Sequence, residues 1–151
     1  MSTRANIIIK EGKEKLFFYR HSDGYPSGTM PTLNIFLKWL KEGKIRNNVS
    51  QGAGWLIVLG AMEYAAIPEH TVTEIERYGR KSKDCDIETI KEPTYWKCGA
   101  YEPTTGLHGN IEYLYTIDLR TNEITVQSVS TNYDTGKQTF TDIPASELVN
   151  E

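Results

Sequence analysis

The sequence predicts an α+β fold: a mostly antiparallel sheet with two central helices packed on one face. Runs rich in β-branched and aromatic residues stand at both ends of the chain, and two apolar segments with helical character lie between them. With 151 residues, 38% of them hydrophobic, the chain can bury a real core. We therefore expect a single domain over residues 1–151.

The N-terminal part predicts a β-hairpin. Residues 6–10 and 15–21 are β-rich runs, and residues 11–14 between them have the composition of a hairpin loop. Side chains along a strand alternate between its two faces. The second run therefore divides into Leu16, Phe18 and Arg20 on one face and Phe17, Tyr19 and His21 on the other. Arg20 and His21 cannot point the same way if the strand stays regular.

Residues 19–28, Tyr-Arg-His-Ser-Asp-Gly-Tyr-Pro-Ser-Gly, are the densest group of recognition side chains. Asp-Gly and Tyr-Pro-Ser-Gly are turn signals, and the proline after Tyr25 holds that residue extended. A rigid polar loop between two core-forming elements is a common place for binding residues. The simpler alternative is an ordinary strand-to-helix connection with polar groups on its surface.

Two helices are predicted in the middle of the chain. The first begins at Pro31, because the next apolar residues repeat at the spacing of one helical face, and it ends at Gly43. The second covers residues 53–62, which are nearly all apolar, after capping residues at 47–50. That run is too short to cross a bilayer, so we expect no membrane span. Residues 51–54 suggest a glycine-rich phosphate loop, but they lack the lysine and hydroxyl that a P-loop requires.

The C-terminal third predicts a β-meander. Residues 111–119 alternate strongly, with Tyr113, Tyr115 and Ile117 on one side, and turn signals separate them from strands at 124–130 and 138–143. Residues 144–148 are expected to form a short helical turn. Residues 95–101 are expected to add one strand before a turn at 103–106. Strand order stays open.

The segment from 68 to 93 is polar and charged. We interpret it as a solvated face, with a short helix over 73–78 or a flap over the site as alternatives. The net charge of −3 and pI of about 5.7 argue against a general nucleic-acid binder. Cys85 and Cys98 lack the spacing of a metal or redox pair, so we expect reduced thiols in a cytoplasmic protein, with a disulfide as the less favoured alternative. No secretion signal is recognised at the N-terminus.

Three stretches resemble an uncharacterised family of small bacteriophage and prophage proteins: Thr3-Arg4-Ala5-Asn6-Ile7, the Tyr-Arg-His-x-Asp-Gly-Tyr-Pro-x-Gly motif at 19–28, and His108-Gly109-Asn110-Ile111-Glu112-Tyr113. The resemblance implies a mobile-element origin and localisation in the cytoplasm of a bacterial host. Accessory proteins of this kind more often bind or sequester something than catalyse metabolism. It implies no catalytic residues.

The first functional hypothesis is a binding protein that captures a small anionic, nucleotide-derived ligand or inhibits a host defence protein. Arg4 and Arg20 would bind phosphate, because guanidinium forks match phosphate oxygens, and Tyr25, Tyr95 or Trp96 would stack on a base. The full set of predicted ligand-binding residues is Arg4, Arg20, His21, Asp23, Tyr25, His108 and Glu112. No cofactor and no metal are predicted.

Two alternatives come from other classes. A metal-independent hydrolase or phosphoesterase would use His21 and His108 as acid and base, with Arg20 steadying a developing anion. Neither histidine, however, stands in the pattern typical of two-histidine phosphoesterases. A metal site from His21, Asp23, His108 and Glu112 is chemically allowed but is the less favoured variant. A protein-interaction module would use the nine tyrosines and three tryptophans as anchors, for another protein or for a second copy in a homo-oligomer.

One geometric expectation separates these hypotheses. His21 and His108 each stand at a boundary between a turn and an apolar run, so we expect them to lie on one surface. A pocket joining residues 23–25 to His108 would favour a small ligand, whereas a flat aromatic patch would favour a protein partner.

Overall fold

The computed structural model describes residues 2–63 and 99–148 and builds them around one six-stranded sheet. In chain order the elements are β1 (Ala5–Glu11), β2 (Glu14–Arg20), α1 (Pro26–Lys41), α2 (Val49–Glu63), β3 (Glu102–Thr104), β4 (Tyr113–Asp118), β5 (Glu123–Thr131), β6 (Gln138–Asp142) and α3 (Ala145–Leu148). The predicted α+β class is confirmed.

The strands lie in the order β3-β2-β1-β4-β5-β6. Every neighbouring pair is antiparallel except β1 and β4, which run parallel with Ala5 opposite Tyr113. The first strand of the chain therefore lies in the interior of the sheet, between its hairpin partner and the C-terminal meander. This placement brings the N-terminal motif beside the segment around His108.

One face of the sheet carries the core. Every second side chain of β1, β2 and β4 points to this face. Most of these side chains are buried beneath α1 and α2. Burying each large aliphatic or aromatic side chain contributes about 1.5–3 kcal/mol. The central members are Ile7, Ile9, Phe18, Tyr115 and Ile117 from the sheet and Leu33, Phe36, Leu56 and Leu59 from the helices. The opposite face of the sheet, which α1 and α2 do not cover, is called the helix-free face below.

The hairpin turn is shorter than predicted. Glu11 and Glu14 already pair with each other, so the turn consists of Gly12 and Lys13 alone. Gly12 has φ +62°, which hairpin turns of this length require at their first central position. A Cβ on Gly12 would lie 2.6 Å from a guanidinium nitrogen of Arg120, so glycine is also required by the contact.

The predicted start of α1 is wrong, because the helix begins at Pro26 and Pro31 lies inside it. Both prolines fit the first helical turn from sequence alone. Backbone hydrogen bonds show that the helix starts at Pro26 rather than Pro31. The carbonyl of Tyr25 accepts hydrogen bonds from the N–H groups of Gly28 and Thr29 at 3.0 Å. The last three of the ten residues in the 19–28 motif are therefore helical rather than loop.

The end of α1 and the start of α2 follow the sequence signals. Gly43 has φ +71°, and the N–H groups of Gly43 and Lys44 bond the carbonyls of Leu40 and Trp39, as in a Schellman motif. Asn48 caps α2 through a 2.8 Å bond from the Gln51 N–H to its side-chain oxygen. Residues 51–54 belong to this helix and form no phosphate loop. Over residues 2–63 and 99–148, no helix has the length and apolarity needed to span a membrane.

Of the strand predicted over 95–101, only residues 99–101 are described, and they belong to no strand. The observed strand is β3, Glu102–Thr104, and it includes Pro103, which was assigned to a turn. A proline is tolerated there because β3 is an edge strand. Residues 95–98, the charged segment 68–93 with its predicted helix at 73–78, Cys85, Cys98, Tyr95 and Trp96 all lie outside the described residues.

Glycines hold the two described parts of the chain together at the end of α2. The N–H of Ala100 donates to the carbonyl of Gly60 at 3.0 Å. A Cβ on Gly60 would lie 2.8 Å from the Tyr101 nitrogen, and a Cβ on Gly99 would lie 2.9 Å from the Ala61 nitrogen. The two backbones meet here more closely than residues with side chains would allow.

Candidate binding site on the helix-free face

Arg20 lies on the helix-covered face and is almost completely buried, with 1% of its surface exposed. Its guanidinium forms a bidentate ion pair with Glu63, at 2.6 and 3.1 Å. It also donates to three backbone carbonyls, those of Ser22 at 2.8 Å, Asp23 at 3.2 Å and Gly28 at 3.3 Å. Its Cζ stands 5.2 Å from the centre of the Tyr101 ring. Arg20 thus joins the end of β2, the first turn of α1 and the end of α2.

The turn after Arg20 is held by its backbone. Asp23 has φ +57°, and its carbonyl also accepts a 3.0 Å bond from the Thr29 hydroxyl. Gly24 donates to the Thr3 carbonyl at 2.9 Å and accepts from the Tyr115 hydroxyl at 2.6 Å. A Cβ on Gly28 would lie 2.5 Å from the Asp23 oxygen. The Asp-Gly and Ser-Gly dipeptides are therefore needed for close packing.

Tyr19 is the centre of a separate cluster, on the helix-free face. The ring of His108 stacks on it with a centroid distance of 3.9 Å and an angle of 9° between the planes. The Tyr19 hydroxyl forms a 2.9 Å hydrogen bond with Nδ1 of His21, and the imidazole tautomer sets which of the two atoms donates. Both histidines therefore contact one tyrosine, as expected for residues on one surface. The cluster of Arg4, Tyr19, His21 and His108 is called the Tyr19 cluster below.

Three polar side chains, those of Asn6, Gln138 and Thr104, fix His108 in place. Its backbone N–H donates to Oδ1 of Asn6 at 2.8 Å, and its carbonyl accepts from Nε2 of Gln138 at 2.9 Å. Nε2 of its ring lies 3.1 Å from the Thr104 hydroxyl. Asn6 is fully buried and donates at 2.8 Å to the Phe18 carbonyl, so it is itself held rigidly by β2. The imidazole is thereby preorganised on the face of Tyr19.

Charge near the Tyr19 hydroxyl comes from Arg4 and Glu102. Burial raises the pKa of Tyr19 above its usual value, the Arg4 guanidinium lowers it by its charge and a hydrogen bond, and Glu102 raises it further. Tyr19 is therefore a neutral phenol at physiological pH. Nε of Arg4 is buried and has no hydrogen-bond partner within residues 2–63 and 99–148.

The predicted site residues divide into two groups. Arg4, His21 and His108 come together around Tyr19, whereas Arg20 lies on the opposite face of the sheet. The expectation that Arg20 would act beside His21 is wrong in geometry, because the alternation of β2 continues through both residues.

Asp23 and Tyr25 bond each other, with the Tyr25 hydroxyl 3.1 Å from the Asp23 carboxylate, at the exposed start of α1. Glu112 is exposed, and its backbone N–H bonds the Arg4 carbonyl at 2.8 Å. Within the described parts of the chain, no three His, Cys, Asp or Glu side chains stand close enough to hold a metal ion. His21, Asp23, His108 and Glu112 therefore do not form the metal site that was considered.

Sequence reasoning missed Tyr19, Asn6, Thr104 and Gln138. Tyr19 could have been found, because the alternation of β2 places it between Phe17 and His21 on the face that carries the cluster. Gln138 and Thr104 carry no local signal, since they reach His108 through the order of the strands.

A shallow depression of about 350 Å³ lies elsewhere, along α1, and is lined by Asn34, Leu37, Lys38, Lys41 and Glu42. These residues all belong to α1 or its C-terminal cap, so this depression does not include the Tyr19 cluster. No protein-family model, curated protein or solved structure matches the chain.

Proposed function

We propose that this chain is a binding protein of the phage and prophage accessory class that its sequence resembles, and that it acts in the cytoplasm of a bacterial host. Its ligand is a small anionic molecule with a flat ring, such as a nucleotide-derived signal, bound at the Tyr19 cluster. Capture of such a signal would antagonise a host defence that depends on it. The observation that carries the proposal is that two imidazoles and one guanidinium gather around a single tyrosine.

The cationic part of the ligand site is Arg4. A guanidinium presents its N–H groups in a fork that matches phosphate oxygens, and hydrogen bonds between charged groups are the strong ones. Nε of Arg4 is a donor without a partner among the described residues. A buried donor that lacks a partner costs free energy, so a ligand oxygen that satisfied it would bind with gain.

The aromatic part is the stack of Tyr19 and His108. The two rings are nearly parallel, and His108 is only partly buried. A planar base could extend the stack by lying on the outer face of the imidazole, which contributes about 1–3 kcal/mol per base in other proteins. Asn6, Thr104 and Gln138 hold the imidazole in place before the ligand arrives, which lowers the entropic cost of binding.

The test is calorimetric titration of the purified chain with ATP, with adenosine and with inorganic pyrophosphate. We expect ATP to bind most tightly, because it alone offers both the anion and the base. Replacement of Arg4 by Ala should weaken ATP and pyrophosphate binding at least about tenfold, the effect of losing one charge-assisted hydrogen bond. His108→Ala should weaken ATP and adenosine binding and leave pyrophosphate nearly unchanged.

The matched control is Arg46→Ala, which removes an exposed arginine from the connection between α1 and α2. It changes the net charge as Arg4→Ala does but leaves the Tyr19 cluster intact. Equal losses in the two arginine variants would show a general charge effect and contradict the proposed site. Binding that survives both Arg4→Ala and His108→Ala would also contradict it.

A metal-independent hydrolase is the second candidate, because His21 and His108 contact the same tyrosine. Each imidazole already has one nitrogen bonded, to Tyr19 or to Thr104, and Arg20 cannot steady an anion here from the other face. Glutamine in place of each histidine keeps hydrogen bonding and removes proton transfer. A hydrolase should lose turnover in His21→Gln and His108→Gln, whereas a binder should keep much of its affinity. We expect the result of a binder.

A further inference from the structure

The two edges of the sheet are protected very differently. β3 forms one edge, and it is three residues long with Pro103 at its centre. Short length and a proline are both common protections of an edge strand against pairing with another chain. β6 forms the other edge among the described strands, and it is five residues long with no proline and no lysine. Its residues from Thr139 to Asp142 are exposed, including Phe140 with 38% of its surface in solvent.

The hydrogen bonds between β5 and β6 show which backbone groups point outward. Ile143 donates to Val126, and Asn132 donates to Lys137, so these two opposed pairs are of the hydrogen-bonded type. Bonded and non-bonded pairs alternate along an antiparallel ladder. In the register of this ladder, Thr139 and Thr141 point their backbone groups at β5. The N–H and C=O groups of Gln138, Phe140 and Asp142 therefore face away from the sheet.

We propose that β6 pairs with β6 of a second copy of this chain, antiparallel and about a two-fold axis at Phe140. In that register Phe140 lies opposite the Phe140 of its partner, and Gln138 lies opposite Asp142. All outward-facing groups of β6 then find a partner, because each of these opposed pairs exchanges both hydrogen bonds. The two sheets become one continuous sheet of twice the width.

Self-complementarity selects this register over its neighbours. A shift by two residues toward the C-terminus would place Pro144, which has no N–H, opposite Gln138. A shift the other way would place Gly136, a turn residue with φ +76°, opposite Asp142. Only the centred register keeps the paired residues within β6, and it sets no like charges opposite each other. It also joins two phenylalanine side chains on the helix-free face, where Phe140 lies opposite Val129.

The partner is a second copy because the side chains of β6 suit each other in the centred register, where Phe140 meets Phe140 and the Gln138 amide meets the Asp142 carboxylate. The contact is small, so we expect a reversible dimer that forms at high micromolar concentration rather than an obligate one. Gln138 also holds the carbonyl of His108, so the dimer contact lies next to the Tyr19 cluster.

The test is sedimentation velocity from about 10 μM to about 1 mM, the range of weak association. We expect a monomer–dimer equilibrium in the wild-type chain. Phe140→Lys and Phe140→Glu should each raise the dimer Kd at least about fivefold, because like charges then meet at the two-fold axis. An equimolar mixture of the two variants should dimerise again, since Lys and Glu then face each other.

Tyr133→Lys is the matched control, because it adds the same charge in the neighbouring turn, where Tyr133 is 79% exposed, and does not touch the edge. It should leave the dimer Kd nearly unchanged. Circular dichroism of the Phe140 variants checks that β6 still pairs with β5. A monomer at every concentration, a dimer that Phe140→Lys does not weaken, or a mixture that does not recover would each overturn the proposal.

Discussion

Replacement of Glu63 by Gln tests whether Arg20 is an architectural residue rather than a ligand-binding one. Arg20 is 1% exposed, and the Glu63 side chain, which keeps 23% of its surface in solvent, is its bidentate partner. Glutamine has nearly the same shape but no charge, so it leaves the guanidinium buried and without its counter-ion. Removing one partner of a buried ion pair typically costs about 3–5 kcal/mol. Because Glu63 is partly hydrated, we expect Glu63→Gln to lower the free energy of unfolding by about 3 kcal/mol, the lower end of this range.

Arg20→Lys should cost a similar amount for a different reason. Lysine keeps the charge but lacks the fork, so it cannot bind both carboxylate oxygens and three carbonyls of the turn together. Arg20→Met should cost at least as much, because the carbonyls of Ser22, Asp23 and Gly28 lose a donor. A domain of this size is stable by only about 5–15 kcal/mol, so each change removes a large share of the total.

The measurement is urea unfolding at 25 °C and pH 7, followed by far-ultraviolet circular dichroism, with the free energy extrapolated to water. Glu42→Gln is the matched control, because Glu42 lies 3.1 Å from Lys44 with both side chains well exposed. Such surface pairs contribute at most about 1 kcal/mol. A cost below about 1 kcal/mol for Glu63→Gln, or equal costs for Glu42→Gln and Glu63→Gln, would refute the reasoning.

The remaining predictions concern single residues. Burial raises the pKa of Tyr101 from 10 to about 12. The neutral phenol therefore contributes about 2–3 kcal/mol to stability below pH 10, and this contribution should be lost as the pH rises to 12. Tyr101→Phe should remove this alkaline loss in urea unfolding. Gly28→Ala should cost about 2–3 kcal/mol, because its Cβ would meet the Asp23 carbonyl. Gly54→Ala, at a helical position with open space around it, should instead stabilise by about 0.5–1 kcal/mol in the same assay. Asp23→Gly should be tolerated, whereas Asp23→Ala should lower stability by about 1 kcal/mol because of the positive φ. Tyr25→Phe should change the melting temperature by less than about 3 °C, since its bond to Asp23 is exposed; a loss above about 10 °C would make that hydroxyl structural.

Periodicity predicted the parts of the fold that local burial decides. The alternation in β2 correctly separated Arg20 from His21, and the alternation in β4 correctly placed Tyr115 and Ile117 in the core. The Asn48 cap of α2 and the Gly43 end of α1 follow from backbone chemistry within a few residues, so they were also predictable. These features need no knowledge of distant partners.

Features decided by distant partners were not predictable. From the sequence alone, Arg20 has the properties of a phosphate-binding residue. Only the structure shows that Glu63, forty-three residues away, neutralises its charge. Pro26 and Pro31 both fit a helix start, and only the hydrogen bonds to Tyr25 separate them. The two histidines could be expected on one surface, and the alternation of β2 places Tyr19 on the face of His21, but the stacking of His108 on Tyr19 depends on the strand order. Strand order supplies that information, and periodicity does not contain it.

The parallel pairing of β1 with β4 also determines when the sheet can be completed during synthesis of the chain. β1 leaves the ribosome well before its second neighbour, which begins with Tyr113, opposite Ala5. At about 5–20 residues per second, that delay lasts roughly 5–20 s. Through this interval the nascent hairpin has an open edge beside Ile7 and Ile9, which invites pairing with another chain. Completion of the sheet therefore waits for translation of the C-terminal third, and a nascent chain halted before Asp118 would hold an unfinished core.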